Sequence, residues 1–137
     1  AESGVLTPHM RIGYDATASG GQYIYDAGGD NNQSAAHYDF VIPYVPWTFN
    51  AYIVWVKLWA ADSNSDSINF SVNGGPLQAW QTGVTSGWQW KRMPDPPEGW
   101  LIQQGVTQSL RFEGREPNLK VDVILLTDRH DTTAPKW

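Results

Sequence analysis

Tryptophan is the residue whose abundance and spacing suggest chemistry in this chain. Eight tryptophans occur among 137 residues, and Trp88 and Trp90 directly follow a run of turn residues at 85–87. A core of this size has room for only a few indoles, so the others are expected at the surface, where an exposed aromatic face marks a binding surface. Sugar rings stack on such faces through their C–H groups. The alternative is that most of these indoles belong to the core.

Two carboxylates point to metal chemistry. Glu2 lies at the first expected strand, and Asp122 lies inside the apolar run 121–126. A carboxylate buried in such a run must be paired or bound to a metal, and Ca²⁺ prefers oxygen ligands. The first and last strands of an antiparallel sandwich often lie side by side. Glu2 and Asp122 are therefore candidate Ca²⁺ ligands, with an outward-facing acid as the alternative for Asp122.

Support for an enzyme is weak. The three histidines lack metal-ligand spacing, and neither an HExxH nor a GxSxG motif occurs. Without cysteine there is no thiolate or disulfide chemistry. The acids are spread thinly and mostly in expected loops. A carboxylate pair for glycoside hydrolysis nevertheless stays open at this stage.

Net charge and hydropathy argue against two classes of partner. The net charge of −5 and the pI near 4.9 argue against nucleic acid, which requires a basic surface. No apolar run approaches the roughly 18 residues of a membrane span. A mass of 15.3 kDa is typical of one domain that buries its own core.

The elements that position these residues are short strands. Thirteen glycines and nine prolines are spread along the chain, which favours many strands joined by turns. Residues 67–72 alternate strictly and stop at a hairpin turn beginning at Asn73. We predict an all-β, antiparallel, two-sheet β-sandwich. The candidate strands are 10–12, 22–25, 38–42, 51–59, 67–72, 77–81, 88–93, 109–113 and 121–126.

The longest candidate strand, 51–59, has two distinguishable faces. The set containing Val54, Val56 and Leu58 is expected in the core, because Lys57 on the other face should reach water. Trp55 and Trp59 would then flank Lys57 on the outer sheet surface. That surface is either a second sugar site or is covered by another segment.

The end of the chain differs in composition. Residues 131–137 are rich in threonine and proline, as in tails that tether a module to a larger chain. We predict a domain over 1–129 and the start of a linker over 130–137.

Several segments together resemble the carbohydrate-binding modules of families 6 and 35. Residues 1–4 (AESG) and 15–24 (DATASGGQYI) are similar to the family opening, 50–57 (NAYIVWVK) to a central strand, and 119–124 (LKVDVI) to the closing strand. The segments 65–67, 87–92 and 110–112 fall between them in the family's order. The resemblance implies a jelly-roll β-sandwich without catalytic activity, attached to a carbohydrate-active enzyme.

The resemblance also implies site residues. Trp88 matches the family's stacking tryptophan, and Tyr25, or less favourably Tyr23, matches an aromatic on the facing loop. Trp90 matches a residue that is more often packed inward. The family has a polar asparagine at this site, and its position falls near Lys120 in this sequence. Either Asn118 makes the hydrogen bond to the sugar in its place, or a cation replaces it. The expected polar rim consists of Asn118, Lys120 and Arg115, although Arg115 can equally form a surface ion pair.

The implied metal is a structural Ca²⁺ between the first and last strands. Glu2 matches the second of two family glutamates, and the first would precede Ala1. Asp122 matches the aspartate of the last strand, and Gln22 is a weaker side-chain candidate.

We therefore predict an extracellular, monomeric module that binds a polysaccharide or oligosaccharide and is covalently linked to a catalytic domain, with no nucleic-acid or membrane partner. The alternatives are a structural or adhesion module of a multidomain extracellular protein and a small jelly-roll polysaccharide lyase or hydrolase. The sequence does not identify the sugar.

Overall fold

The computed structural model describes residues 1–28, 34–46 and 50–137. These residues form eleven strands and one 3-10 turn at Ser19–Gly21, which confirms the all-β prediction. The strands are β1 (Val5–Leu6), β2 (Met10–Tyr14), β3 (Gln22–Asp26), β4 (Ala35–Val41), β5 (Ala51–Trp59), β6 (Ser67–Val72), β7 (Gln78–Gln81), β8 (Gln89–Arg92), β9 (Trp100–Leu101), β10 (Thr107–Gly114) and β11 (Lys120–Asp128).

The strands form two antiparallel sheets, as predicted. The five-stranded sheet has the order β1-β4-β10-β6-β7. The six-stranded sheet has the order β2-β3-β11-β5-β8, and β9 pairs with the start of β5. The chain crosses repeatedly between the sheets, so β10 of one sheet continues through a short loop into β11 of the other.

The core lies between the sheets. Val54, Val56 and Leu58 of β5 are fully buried in it, as the alternation predicts. On the facing sheet, Phe70 and Phe112 are also fully buried. Apolar burial of this kind is the main stabilising contribution to a sandwich without disulfides.

The outer face of β5 is covered at one end. Trp55 is only 7% exposed, and its indole Nε1 donates to Thr127 Oγ1 at 3.2 Å. The segment after β11 returns over this face, where the ring of Trp137 lies 5.1 Å from that of Trp90. Trp55 therefore presents no free indole face. At this end of the outer surface, the structure agrees with the alternative that another segment covers it.

Trp90 is not a core residue, contrary to expectation. It pairs across strands with Lys57, which lies on the outer face of β5. Its Nε1 donates to the backbone carbonyl of Trp137 at 2.7 Å. The strand alternation of β8 places Trp90 outward, and Trp137 covers it. The linker assignment for 130–137 stays a prediction.

Candidate functional site

Cross-strand register collects aromatic residues at one end of the outer face of the six-stranded sheet. Lys120, the first residue of β11, pairs with Tyr25 on β3 and with Trp59 on β5. The next pair along, Val121 with Ile24, is buried in the core. Because neighbouring residues of a strand point to opposite faces, Lys120, Tyr25 and Trp59 project outward together.

Trp88 completes this group from the loop before β8. Its ring centroid lies 5.8 Å from that of Trp59 in an edge-on arrangement, and 5.6 Å from that of Tyr23. Tyr23 in turn lies 5.8 Å from Tyr25. All four rings are partly exposed. We call Tyr23, Tyr25, Trp59 and Trp88 the aromatic cluster.

A hydrogen-bonded turn holds Trp88 in place. The indole Nε1 donates to Thr17 Oγ1 at 3.1 Å. The Thr17 hydroxyl and backbone N–H both donate to Asp15 Oδ1, at 2.7 and 2.9 Å. The Thr17 hydroxyl therefore accepts a hydrogen bond from the indole and donates one to the carboxylate, so it serves both as acceptor and as donor.

The pKa of Asp15 follows from this turn. The hydrogen bond from the Thr17 hydroxyl, followed by that from the Thr17 backbone, lowers the pKa of Asp15 below its usual value, and the charge of Lys120 lowers it further. Because the pKa is depressed on folding, the stabilisation from this turn is present at neutral pH and is lost as the pH falls through the Asp15 pKa. We therefore expect Trp88 to stay in position down to mildly acidic pH.

Lys120 lies among the rings. Its Nζ is 4.4 Å from the ring centroid of Trp59 and 5.1 Å from that of Tyr23, both within cation–π range. The ammonium therefore contacts two members of the aromatic cluster and also lowers the pKa of Asp15.

The remaining predicted rim residues lie nearby but apart. Asn118 and Arg115 are exposed in the loop between β10 and β11 that leads into Lys120. Asn118 has a positive φ of 70°, and its backbone N–H donates to the carbonyl of Asp26. Within the described residues neither side chain hydrogen-bonds to the aromatic cluster.

Trp59 was assigned by sequence to a second face with Trp55, whereas the structure places it in the same cluster as Trp88. The two candidate surfaces are continuous: Trp59 lies at the open end of the outer face of β5, and Trp55 lies at its covered end. In the sequence, the only sign that the two surfaces are continuous is that residues 55, 57 and 59 lie on the same face of one strand.

Asp122 is a fully buried carboxylate with one unsatisfied oxygen. Its Oδ2 accepts from the Ser19 backbone N–H at 2.9 Å and lies 3.6 Å from Lys57 Nζ. Its Oδ1 has no hydrogen-bond partner. A buried carboxylate oxygen of this kind needs a further positive or donor group.

The other predicted metal ligands differ in position. The carboxylate of Glu2 and the backbone carbonyl of Asp122 both accept from the amino group of Ala1, at 2.9 and 2.5 Å. Oxygens of Glu2 and Asp122 therefore lie close to the same backbone nitrogen, that of Ala1. Gln22 lies in β3 opposite Tyr14 and hydrogen-bonds to neither acid. No group of three or more His, Cys, Asp or Glu side chains with metal-binding geometry occurs in the part of the chain that the structure describes.

Within the same described ranges, no helix is long and apolar enough to span a membrane.

Comparison with known proteins identifies the architecture. No protein-family model and no curated protein matches this sequence. A family 35 carbohydrate binding module from Clostridium thermocellum matches with a TM-score of 0.68 and 21% identity, over 92% of this chain and 93% of that one. The chain has the fold of a family 35 carbohydrate-binding module.

Other solved structures agree on this fold. The family 35 module of Paenibacillus barcinonensis matches with a TM-score of 0.65 and 18% identity, over 93% of this chain and 94% of that module. The Podospora anserina GH26-CBM35 β-(1,4)-mannanase matches with a TM-score of 0.72 and 15% identity over 99% of this chain. This chain spans only 27% of the mannanase chain, so it corresponds to one part of that larger protein.

Proposed function

We propose that this chain is a non-catalytic carbohydrate-binding module that binds polysaccharide at the aromatic cluster. The observation that carries the proposal is the convergence of four partly exposed rings at one end of a sheet face, with Trp88 held by Thr17. Aromatic rings presented together in a fixed geometry provide apolar faces for sugar rings at little entropic cost.

The polar groups around the cluster would orient the sugar. Asp15 and Lys120 place opposite charges beside the rings, and Asn118 and Arg115 lie exposed in the adjacent loop. Hydroxyl groups of a bound sugar can accept from the cations and donate to the carboxylate. Because one or two sugar rings bury little area, affinity at this single site should be modest.

A structural Ca²⁺ is the second part of the proposal. The unpartnered Oδ1 of buried Asp122, the Asp122 carbonyl and the Glu2 carboxylate are the hard oxygen donors that Ca²⁺ takes. Ca²⁺ at these residues would neutralise the carboxylates and tie the N-terminal segment to β11.

The fold comparison supports an accessory role. The mannanase neighbour carries a region of this fold within a chain almost four times as long, and exo-β-1,3-galactanase from Phanerochaete chrysosporium shows the same arrangement. We propose that this chain is likewise linked to a catalytic domain and acts outside the cell. A monomeric state and the absence of nucleic-acid and membrane partners remain predictions.

Affinity gel electrophoresis tests the proposed function. The chain is run through gels containing β-1,4-mannan, β-1,3-galactan, xylan or an acidic polysaccharide, and each mixture is assayed for released sugar. We expect retardation on at least one polysaccharide without sugar release. Sugar release would instead support a small hydrolase or lyase, and the absence of retardation on all of them would support a structural module.

Lys120→Met tests the contribution of the ammonium within the cluster. The substitution keeps the aliphatic stem and removes an ammonium that can donate to a sugar hydroxyl, a hydrogen bond worth about 0.5–1 kcal/mol net at a partly exposed site. We expect polysaccharide affinity to fall about two- to fivefold by isothermal titration calorimetry. Lys136→Met, in the exposed tail, is the matched control and should bind like the unmodified chain. Equal affinity for both variants would rule out this role of Lys120.

A further inference from the structure

The loop between β2 and β3, residues 15–21, contacts two separate parts of the six-stranded sheet. Its Thr17 hydroxyl accepts a hydrogen bond from the indole of Trp88, in the loop before β8. Two residues later, the backbone N–H of Ser19 donates to the carboxylate of Asp122 in β11. The loop therefore joins a member of the aromatic cluster to a fully buried carboxylate.

Backbone hydrogen bonds close this loop on itself. The N–H of Asp15 donates to the carbonyl of Gly21 at 3.1 Å. The N–H groups of Ala18 and Gly21 donate to the carbonyls of Asp15 and Ala18, each at 3.0 Å. Ala18 is only 6% exposed, so the middle of the loop packs into the domain. Because the loop is short and internally bonded, a change at one of its two contacts is transmitted to the other.

The contact with Asp122 is the firm end of the loop. Asp122 Oδ2 accepts from the Ser19 N–H at 2.9 Å. Lys57 Nζ lies 3.6 Å from the same oxygen and donates to Ser19 Oγ at 3.5 Å. A hydrogen bond to an ionised group is roughly twice as strong as one between neutral groups, so this contact fixes where the loop lies.

The loop that carries Trp88 fixes its backbone but not its ring. Thr85, three residues earlier, is buried, and its N–H donates to the carbonyl of Ala60 at 2.9 Å. Its hydroxyl donates to the carbonyl of Gly87 at 2.8 Å. An indole has a single hydrogen-bond donor, and in the part of the chain that the structure describes Thr17 is its acceptor.

We infer that residues 15–21 are a positioning loop for glycan binding, in which Asp122 holds the loop and Thr17 holds the Trp88 indole in its binding orientation. Asp15 accepts from the hydroxyl and the backbone N–H of Thr17, which turns the lone pairs of that hydroxyl toward the indole. A ring that is ordered before the sugar arrives avoids the entropic cost of ordering it on binding. The inference rests on the proposed function of the aromatic cluster.

Thr17→Val tests the contact with the indole. Valine keeps the branched shape of threonine and removes the hydroxyl that lies between the indole and Asp15. The probe is whichever of β-1,4-mannan, β-1,3-galactan and xylan retards the unmodified chain in affinity gels. We expect the affinity to fall about two- to tenfold by isothermal titration calorimetry. Because Thr17 is exposed, the Tm should change little.

Two further variants complete this comparison. Thr17→Ser keeps the hydroxyl and should bind like the unmodified chain, which a packing role of the threonine methyl group would not predict. Thr107→Val removes the hydroxyl of another exposed threonine, at the start of β10, and should also bind normally. Equal affinity of Thr17→Val and Thr107→Val would overturn the inference.

Ser19→Pro tests the contact with the interior. Proline lacks the N–H that donates to Asp122, and it is tolerated at the first position of a helical turn, where Ser19 lies. Ala18 already has the extended φ of −77° and ψ of 153° that a residue before proline favours. Ser19→Ala is the matched control, because it keeps the N–H and removes only the hydroxyl. We expect Ser19→Pro to lower the affinity and Ser19→Ala to leave it unchanged.

The indole N–H signal of Trp88 in the ¹⁵N-labelled chain reports the orientation of the ring without any glycan. We expect this signal to shift in Ser19→Pro and to stay in place in Ser19→Ala. An unchanged signal in folded Ser19→Pro would contradict the positioning loop even in a chain that binds glycan, and Thr17→Val decides the inference if Ser19→Pro does not fold. A shifted signal in a chain that binds no glycan would remove the proposed function, while the effect of the loop on Trp88 would stand.

Discussion

Trp88→Ala is expected to weaken polysaccharide binding by about 30-fold or more while the domain stays folded. Trp88 contacts both Trp59 and Tyr23, so its removal takes away one of the two indoles and also the neighbour that positions these two rings. A buried aromatic at the centre of a binding site typically contributes at least about 2 kcal/mol, which is about 30-fold in affinity. Isothermal titration calorimetry with the polysaccharide retained in the gel assay measures this loss.

The stability cost of the same substitution should be small by comparison. Trp88 is only partly buried and makes two aromatic pairs, each worth about 0.5–1.5 kcal/mol. Trp137→Ala is the matched control, because Trp137 is also a tryptophan with an aromatic neighbour but lies over the covered end of the outer face. We expect Trp137→Ala to bind normally. A Trp88→Ala variant that binds as tightly as this control would remove Trp88 from the site.

Asp122→Ala is expected to destabilise the fold by about 3–5 kcal/mol. The substitution leaves the ammonium of Lys57, whose side chain is 14% exposed, without its carboxylate, and it leaves the Ser19 backbone N–H without an acceptor. Removing one partner of a buried ion pair typically lowers the free energy of unfolding by this amount. Thermal or urea unfolding measures it, and Asp128→Ala, at the half-buried end of the same strand, should cost no more than about 1 kcal/mol.

The same unfolding experiment separates the metal from the ion pair. If Ca²⁺ binds at Glu2 and Asp122, removing it with EDTA lowers the Tm of the unmodified chain, and re-adding Ca²⁺ restores it. Asp122→Ala should show no such response. A Tm that is identical with EDTA and with Ca²⁺ would exclude a structural Ca²⁺ and leave Lys57 as the counter-charge of Asp122 among the described residues. Well below the Tm, EDTA should leave polysaccharide affinity unchanged.

Local sequence pattern was sufficient for most of the fold. The strict alternation of 67–72 and the turn at Asn73 predicted the hairpin that β6 and β7 form. Strand 51–59 was predicted with the bounds of β5, because β-branched and aromatic residues are enriched there and only Lys57 interrupts the apolar run. Both predictions depend on neighbours in sequence, where strand periodicity and turn chemistry are decisive.

The site depends on contacts between distant strands, which pattern alone does not specify. Trp59 joins Trp88 because β11 lies between β3 and β5 with Lys120 opposite both Tyr25 and Trp59. Asp122 is buried on the side of the sheet where Lys57 lies, beside the Ser19 backbone N–H, and this cover comes from a segment distant in sequence. Trp90 was misassigned for the same reason, since its outward direction follows from its pairing with Lys57.

The most direct test of the central claim is a titration of the unmodified ¹⁵N-labelled chain with the glycan that it binds, followed through the tryptophan indole N–H signals. Binding at the aromatic cluster predicts that the Trp88 and Trp59 signals shift together and saturate at one Kd, while those of Trp55, Trp90 and Trp137 stay in place. Saturable binding that leaves both Trp88 and Trp59 unshifted would contradict the account.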